Sequence, residues 1–237
     1  MRCAIFGAGG GIGSAMVRLL HGRDDVSVVH AGSRSGEGEQ DGRLRRFSYD
    51  LTEEATIERA VAQMSVQGPL DMVIVATGLL QDLPDVSPEK AWSAIDPDAM
   101  ARVFAVNTIG PAIIAKHVMP VLGKEGARFA ALSARVGSIG DNRLGGWHSY
   151  RASKAALNML VRNFAIELKR RNRSALAVAL HPGTVDTALS KPFQGNVPEH
   201  KLFDAGRAAE QLLDVLQGLR PEDSGGFFAW DGQPIEW

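Results

Sequence analysis

Tyr150 and Lys154 stand four residues apart in Ser149-Tyr150-Arg151-Ala152-Ser153-Lys154-Ala155-Ala156. On a helix that spacing puts the phenol and the ammonium on one face. A free tyrosine keeps its proton to about pH 10, and a cation within roughly 4–6 Å favours the phenolate and lowers that value. A partly buried pair of this kind can donate and accept a proton near neutrality. The same two residues at helical spacing are also ordinary surface decoration, so the chemistry depends on what the chain brings to them.

Three stretches could bring a nucleotide. Gly7-Ala8-Gly9-Gly10-Gly11-Ile12-Gly13 follows a short apolar run, 2–6, and precedes an amphipathic segment, 14–21. Strand, glycine turn and helix in that order let the backbone close on a pyrophosphate at a helix N-terminus. The spacing of Gly7, Gly11 and Gly13 fits GxxxGxG as well as GxGxxG. A second apolar run, 26–30, leads to Ala31-Gly32-Ser33-Arg34, where an acid would hold a ribose 2′-hydroxyl and an arginine a 2′-phosphate. Ser33 and Arg34 with no acid predict NADP(H) in preference to NAD(H); the plain alternative is a solvated loop arginine. Asp50, ahead of Leu51, could meet an adenine amino group, and Ala76-Thr77-Gly78 leaves room for close cofactor approach.

Further candidates follow from position. Asn107 lies inside a helical stretch, 99–119, close to Gly110-Pro111, and the pair predicts a kink with Asn107 able to reach a cleft. Ser133 and Ser138 follow the strand predicted at 127–132, where ligands sit in open α/β sheets.

The elements that must hold these residues alternate along the whole chain. Strands are expected at 2–6, 26–30, 70–76, 127–132, 175–181 and 226–230, with Arg46 to Tyr49 leading into Asp50. Helices are expected at 14–21, 53–64 with Thr52 as N-cap, 99–119, 150–171 and 205–219. Gly36 to Arg46 reads as a mobile polar loop, and 79–99 as a long connection roofing one side of a cleft. The pattern predicts one α/β domain over 1–237: a single-domain Rossmann fold, doubly wound, with a mostly parallel sheet of about seven strands and helices on both faces. A loop at about 187–203 would decide the substrate.

Composition narrows the functional classes. A formal net charge of -1 gives no basic field for nucleic acid. No run nears the eighteen or so apolar residues of a membrane span, and the start lacks the apolar core of a signal peptide. Cys3 is the one cysteine, which rules out an intramolecular disulfide and fits a reducing cytoplasm. No histidines stand at metal-ligand spacing, so no metal site is expected.

The ordered set Gly7-xxx-Gly11-Ile12-Gly13, Asp50-Leu51, Val106-Asn107, Tyr150-xxx-Lys154 and Pro182-Gly183-xxx-Asp186-Thr187 resembles the short-chain dehydrogenase/reductase family over essentially the full length. Val136-Gly137-Ser138-Ile139-Gly140 through Gly146 looks like its C-factor and sniffer-type carbonyl reductase branch. The resemblance implies carbonyl reduction or its reverse: Tyr150 gives a proton to the oxygen, and Lys154 lowers the tyrosine's pKa and holds the nicotinamide ribose. Asn107 would anchor a water joining Lys154 to solvent. Pro182, the Val185 backbone and Thr187 would fix the cofactor's carboxamide and phosphate side. It also implies a small-molecule carbonyl or alcohol as substrate, and a homodimer or homotetramer in many members.

Two departures stand out. The family's Asn-Asn-Ala-Gly reads Val75-Ala76-Thr77-Gly78 here. Its catalytic serine falls on Ala134 by count from Gly137, leaving Ser133 (the favoured candidate) or Ser138 to serve. The altered serine keeps open a second reading, an NAD(P)-binding signalling or sensor protein of the C-factor type with little turnover. A sugar-nucleotide epimerase or dehydratase would need a larger C-terminal substrate domain than this chain has room for.

Overall fold

A computed structural model describes residues 1–195 and 198–237. Seven parallel strands form the main sheet: β1 (Arg2–Phe6), β2 (Val28–Ser33), β3 (Leu44–Ser48), β4 (Met72–Val75), β5 (Arg128–Leu132), β6 (Leu176–His181) and the last strand, Phe227–Ala229. They run β3-β2-β1-β4-β5-β6 and then Phe227–Ala229 across the sheet. A two-stranded ribbon, β7 (Thr184–Val185) with β8 (Leu202–Phe203), stands outside it, so the last strand is β9. The expected doubly wound sheet is present, with its strand order reversing between β1 and β4. At that switch point the C-terminal ends of the strands leave a crevice for ligands.

Both faces of the sheet are covered, which is why its strands read as unbroken apolar runs rather than alternating ones. Phe6, Val75, Phe129 and Ala177 face one core with Leu157, Val161, Ile57 and Ile114. Ile5, Ile74, Ala130 and Val178 face the other with Met16, Leu20, Leu212 and Leu216. These partners come from α1 (Gly11–His21), α2 (Glu54–Ser65), α4 (Gly110–Val118), α5 (His148–Arg171) and α6 (Ala205–Gly218). No helix among the described residues is long and apolar enough to cross a membrane.

Three local elements differ from the expectation. The mobile loop ends sooner than expected, because Leu44–Ser48 pairs in parallel with β2 as the sheet's edge. The adjacent Arg45 and Arg46 keep the run from reading as a strand. Thr52 does not cap α2: its hydroxyl donates to Asp50 Oδ1 (2.6 Å) and Glu53 occupies the cap position. The helix expected from Ala99 begins at α3 (Pro97–Phe104), where the Asp96 carboxylate accepts the Ala99 N–H (2.8 Å) with Pro97 in the first turn.

The expected kink is a π turn over Ala105–Ile109 joining α3 to α4. Pro111 has no N–H for the Asn107 carbonyl four residues back, so the ladder widens there.

Candidate active site

The sequence-predicted residues are gathered at the C-terminal edge of the sheet. β1 delivers Gly7, which lies at φ 95 and is pressed against β4: a Cβ on it would fall 2.9 Å from the Ala76 carbonyl carbon and 3.0 Å from Thr77 N. Gly13 is tighter still, since its Cβ would sit 2.2 Å from the Gly7 carbonyl oxygen. Only glycine can occupy these two positions. α1 starts without a side-chain cap and with no acid in its first turn, so its N-terminus is open to an anion. Ile12 packs at the edge of the core beside Val185, and Gly11 meets Thr187, whose Cγ2 would be 2.7 Å from a Cβ there.

At the end of β2, Ser33 lies close to this loop, 3.6 Å from where a Gly9 Cβ would be, and its hydroxyl accepts the Gly36 N–H (3.0 Å). That bond turns the chain at Arg34. Asp50 is bound within its own turn, accepting the N–H (2.7 Å) and hydroxyl of Thr52; these bonds first, and the Arg34 charge after them, hold its carboxyl below the usual range. Leu51 lies against Gly110 of α4. Thr77 Oγ1 is buried without a partner, and Gly78 opens a cradle bounded by Asn107 Oδ1 and Lys154 Nζ, each 3.8 Å from a Cβ placed there. A closely approached glycine loop, an open helix N-terminus and this cradle fit a dinucleotide.

Tyr150 and Lys154 occupy the first two turns of α5 and are 8% and 3% exposed. Lys154 Nζ stands 5.9 Å from the centre of the phenol ring and donates to the Leu132 carbonyl at the end of β5 (2.8 Å). Burial decides both titrations: it pushes the phenol up to about 12 and the ammonium down to about 8. The lowering of the phenol expected from Lys154 is therefore outweighed in this arrangement. Desolvation penalises either charge, and the ammonium is directed to a backbone carbonyl. Gly137 lets the 135–137 turn lie on the lysine, because a Cβ would meet Lys154 Cβ at 2.8 Å and its carbonyl carbon at 2.9 Å.

The remaining candidates are held by partners within the fold. Asn107, fully buried, spends its amide on the chain after β4: Oδ1 accepts the Leu79 N–H (2.7 Å), and Nδ2 donates to the Leu79 carbonyl (2.8 Å) and Ser153 Oγ (3.1 Å). Ser133 is buried and its hydroxyl donates to Asn158 Oδ1 (2.6 Å). Ser138 is buried and its oxygen accepts the Asp141 N–H (3.1 Å). After β6, Pro182 precedes Gly183 (φ 77), and the Val185 carbonyl accepts the Ser190 hydroxyl. The sequence reading missed Asn158, Ser153 and Glu89, whose partners lie 25 to 60 residues away in the chain, where no local pattern points to them.

The Ser133 geometry makes a distinct prediction. Ser133→Ala leaves buried Asn158 Oδ1 without its donor, a loss of about 1–3 kcal/mol of stability. Carbonyl turnover is expected to stay within about threefold, since the hydroxyl's one proton serves Asn158. Thermal melts beside steady-state rates check both halves.

A parallel, doubly wound sheet with a glycine-lined turn after β1 and a buried Tyr/Lys pair at its carboxyl edge defines a Rossmann-type dinucleotide-dependent oxidoreductase. The short-chain dehydrogenase family model matches residues 2–197, and the chain belongs to that family, whose members bind a nicotinamide cofactor.

Among curated proteins it is 35% identical to the 1-hydroxy-2-glutathionyl-2-methyl-3-butene dehydrogenase of Rhodococcus sp., covering 98% of each chain. It is also 35% identical to the C-signal protein of Myxococcus xanthus, over 76% of this chain and 99% of that one. Among solved structures, the NADPH-bound carbonyl reductase from chicken fatty liver matches with a TM-score of 0.87 at 26% identity, covering 100% of this chain and 98% of that one. The sniffer carbonyl reductase of Drosophila melanogaster, at 22% identity and a TM-score of 0.85 over 100% and 99% of the two chains, shares the fold.

Proposed function

We propose that the protein is an NADP(H)-dependent carbonyl reductase, working by hydride transfer with Tyr150 as general acid and base. The observation that carries the reading is the burial of Tyr150 and Lys154 together beside the cradle of Gly78 and Asn107. NADPH, when bound, would supply the hydride for the carbonyl carbon. Tyr150 Oη gives its proton to the carbonyl oxygen, yielding the alcohol, and is reprotonated from solvent. Lys154 holds the cofactor's ribose and stabilises the transient phenolate. A phenol displaced to about 12 is protonated at neutral pH, the form that reduction requires.

Ser133 spends its one proton on Asn158 Oδ1, and Ser138 Oγ accepts the Asp141 N–H and keeps its own proton. Polarisation of the carbonyl therefore falls to Tyr150, with the Ser138 hydroxyl as the one serine left to help. That favours carbonyls already activated by conjugation, such as quinones and unsaturated aldehydes. The Rhodococcus relative's name puts a glutathionyl alcohol in the same test, run towards oxidation. Following NADPH absorbance with aldehydes, ketones, quinones and that alcohol tests the reading. Oxidation of NADPH by at least one carbonyl supports it, whereas tight NADPH binding with no turnover favours the sensor reading, for which the similarity to C-signal and the engaged Ser133 speak.

The NADP(H) preference rests on Ser33-Arg34 at the end of β2 and on the NADPH-bound relative. Arg34→Ala is expected to weaken NADPH by about 10- to 100-fold, the value of one or two charge-assisted hydrogen bonds. NADH, without the 2′-phosphate, should change by less than about twofold. Equal weakening of both, measured by fluorescence titration, would remove the assignment.

A further inference from the structure

α5 carries the proposed proton donor in its first turn yet has no cap of its own. Trp147 takes the cap position with no side-chain bond to the helix, and no acid stands in the first turn. The chain reaches it through Gly145 (φ 63), Gly146 (φ 66) and Trp147 (φ 51). Trp147 is the one non-glycine residue among those described with a left-handed backbone, a conformation a tryptophan adopts only under outside constraint.

The constraint comes from sixty residues upstream. Glu89, in the connection between β4 and α3, is 6% exposed. Its carbonyl accepts the Trp147 N–H (2.5 Å), and its carboxylate accepts the Ser149 N–H through both oxygens (3.3 and 3.2 Å) and the Ser149 hydroxyl. No lysine or arginine pairs with it within salt-bridge distance among the described residues. Its compensation is the positive end of the helix and an otherwise orphaned N–H. The next residue is Tyr150, which lines a small cavity with Glu89, Leu80 and Val103. The Trp147 ring meets the Tyr150 ring edge-on at 6.3 Å and Phe193 at 5.2 Å.

We infer that Glu89 is a positioning residue: a helix cap supplied from a distant loop that sets Tyr150 through the Ser149 backbone and fixes Trp147 against it. The inference rests on the reading of Tyr150 as the proton donor. A phenol must be held to within a fraction of an ångström of the substrate oxygen, and a displacement of 1 Å costs about 100-fold in rate. Glu89→Ala deletes the carboxylate bonds to Ser149 and so frees that N–H in the first turn of α5, while the residue-89 carbonyl still holds the Trp147 N–H. Tyr150 then shifts against a Trp147 that stays anchored. The bonds Glu89 makes go to Trp147 and Ser149 and not to the glycine turn after β1, so cofactor affinity is expected to change little.

The test joins rate to two readouts that need no turnover. In Glu89→Ala, kcat for phenanthrenequinone with NADPH is expected to fall by about 30-fold or more, with NADPH affinity within about twofold. The Ser149 amide should exchange with solvent about 100-fold faster, and the nuclear Overhauser contacts between the Trp147 and Tyr150 rings should vanish. Glu89→Gln, which keeps an acceptor, should restore rate, protection and ring contacts. Should the alanine variant not fold, Glu89→Asp, one methylene short, carries the same expectation at about tenfold.

Ring contacts that survive in Glu89→Ala, or a kcat within threefold once exchange has accelerated, would overturn the inference. Failure of glutamine to restore the contacts would do so as well. If the unaltered protein oxidises no NADPH with any carbonyl, the proposed function fails, while the exchange and ring contacts still decide whether Glu89 positions Tyr150.

Discussion

Tyr150→Phe is expected to lower kcat for carbonyl reduction by about 10³-fold or more, within the span assigned to a positioned general acid, with NADPH affinity changed by less than about twofold. The substitution deletes one oxygen and keeps the ring, so the edge-on contact with Trp147 is retained. The hydroxyl makes no hydrogen bond within the protein among the described residues, so its removal leaves no buried partner unsatisfied. Stability should therefore hold while rate collapses, a separation that a structural tyrosine would not give.

The pH dependence sharpens this prediction. With the phenol displaced upward to about 12 and the Lys154 ammonium downward to about 8, reduction has its acid in the protonated form throughout the neutral range. Its rate should fall as pH rises through about 8 and the lysine loses the charge that steadies the developing phenolate. Alcohol oxidation needs the phenolate as base and should rise with pH up to about 8, then level off as the lysine loses the charge that steadies that phenolate. A kcat profile for each direction checks the two signs.

Gly13→Ala is expected to abolish cofactor binding, with NADPH affinity reduced by more than about 100-fold and stability lowered by about 1–3 kcal/mol or more, the cost of forcing a methyl into filled space. The new Cβ would fall 2.2 Å from the Gly7 carbonyl oxygen, 2.9 Å from the Gly7 carbonyl carbon and 3.3 Å from Ala8 Cα. All three are backbone atoms, so no rotamer change relieves the contact, and the start of α1 must lift off the turn after β1. The neighbouring glycines supply the control. A methyl on Gly11 meets Thr187 Cγ2 at 2.7 Å, a side chain that can rotate, and one on Gly9 meets Ser33 Cβ at an ordinary 3.6 Å. The expected order of damage is Gly13, then Gly11, then Gly9. Titration of the three alanine variants with NADPH checks it, and equal losses would show that the loop is read by composition and not by close approach.

The gross architecture was legible because its cause is local. Strands buried on both faces are continuous apolar runs, as in Cys3 to Phe6 and Met72 to Val75, and the glycines mark where backbone meets backbone. The kink before Pro111 was legible for the same reason, since a missing N–H is a property of one residue. The edge strand β3 was not, because Leu44–Ser48 carries two arginines and is only half-buried.

The site divides in the same way. Tyr150 and Lys154 follow from spacing, but the balance between burial and mutual attraction does not, and in the fold burial wins. The fate of the serines depends on Asn158, and the start of α5 depends on Glu89. These partners are brought in by topology, so the chain near Ser133 or Ser149 carries no trace of them.

The central claim is that the Tyr150 hydroxyl delivers a proton to a carbonyl oxygen beside bound NADPH. A crystal structure of the protein with NADP⁺ and an unreactive carbonyl-bearing inhibitor tests it most directly. The predicted result is a Tyr150 Oη within hydrogen-bond reach of the inhibitor oxygen, about 2.6–3.2 Å, with the carbonyl carbon facing the nicotinamide ring. An inhibitor oxygen bound by another donor, with the Tyr150 hydroxyl turned into the protein interior, would contradict it.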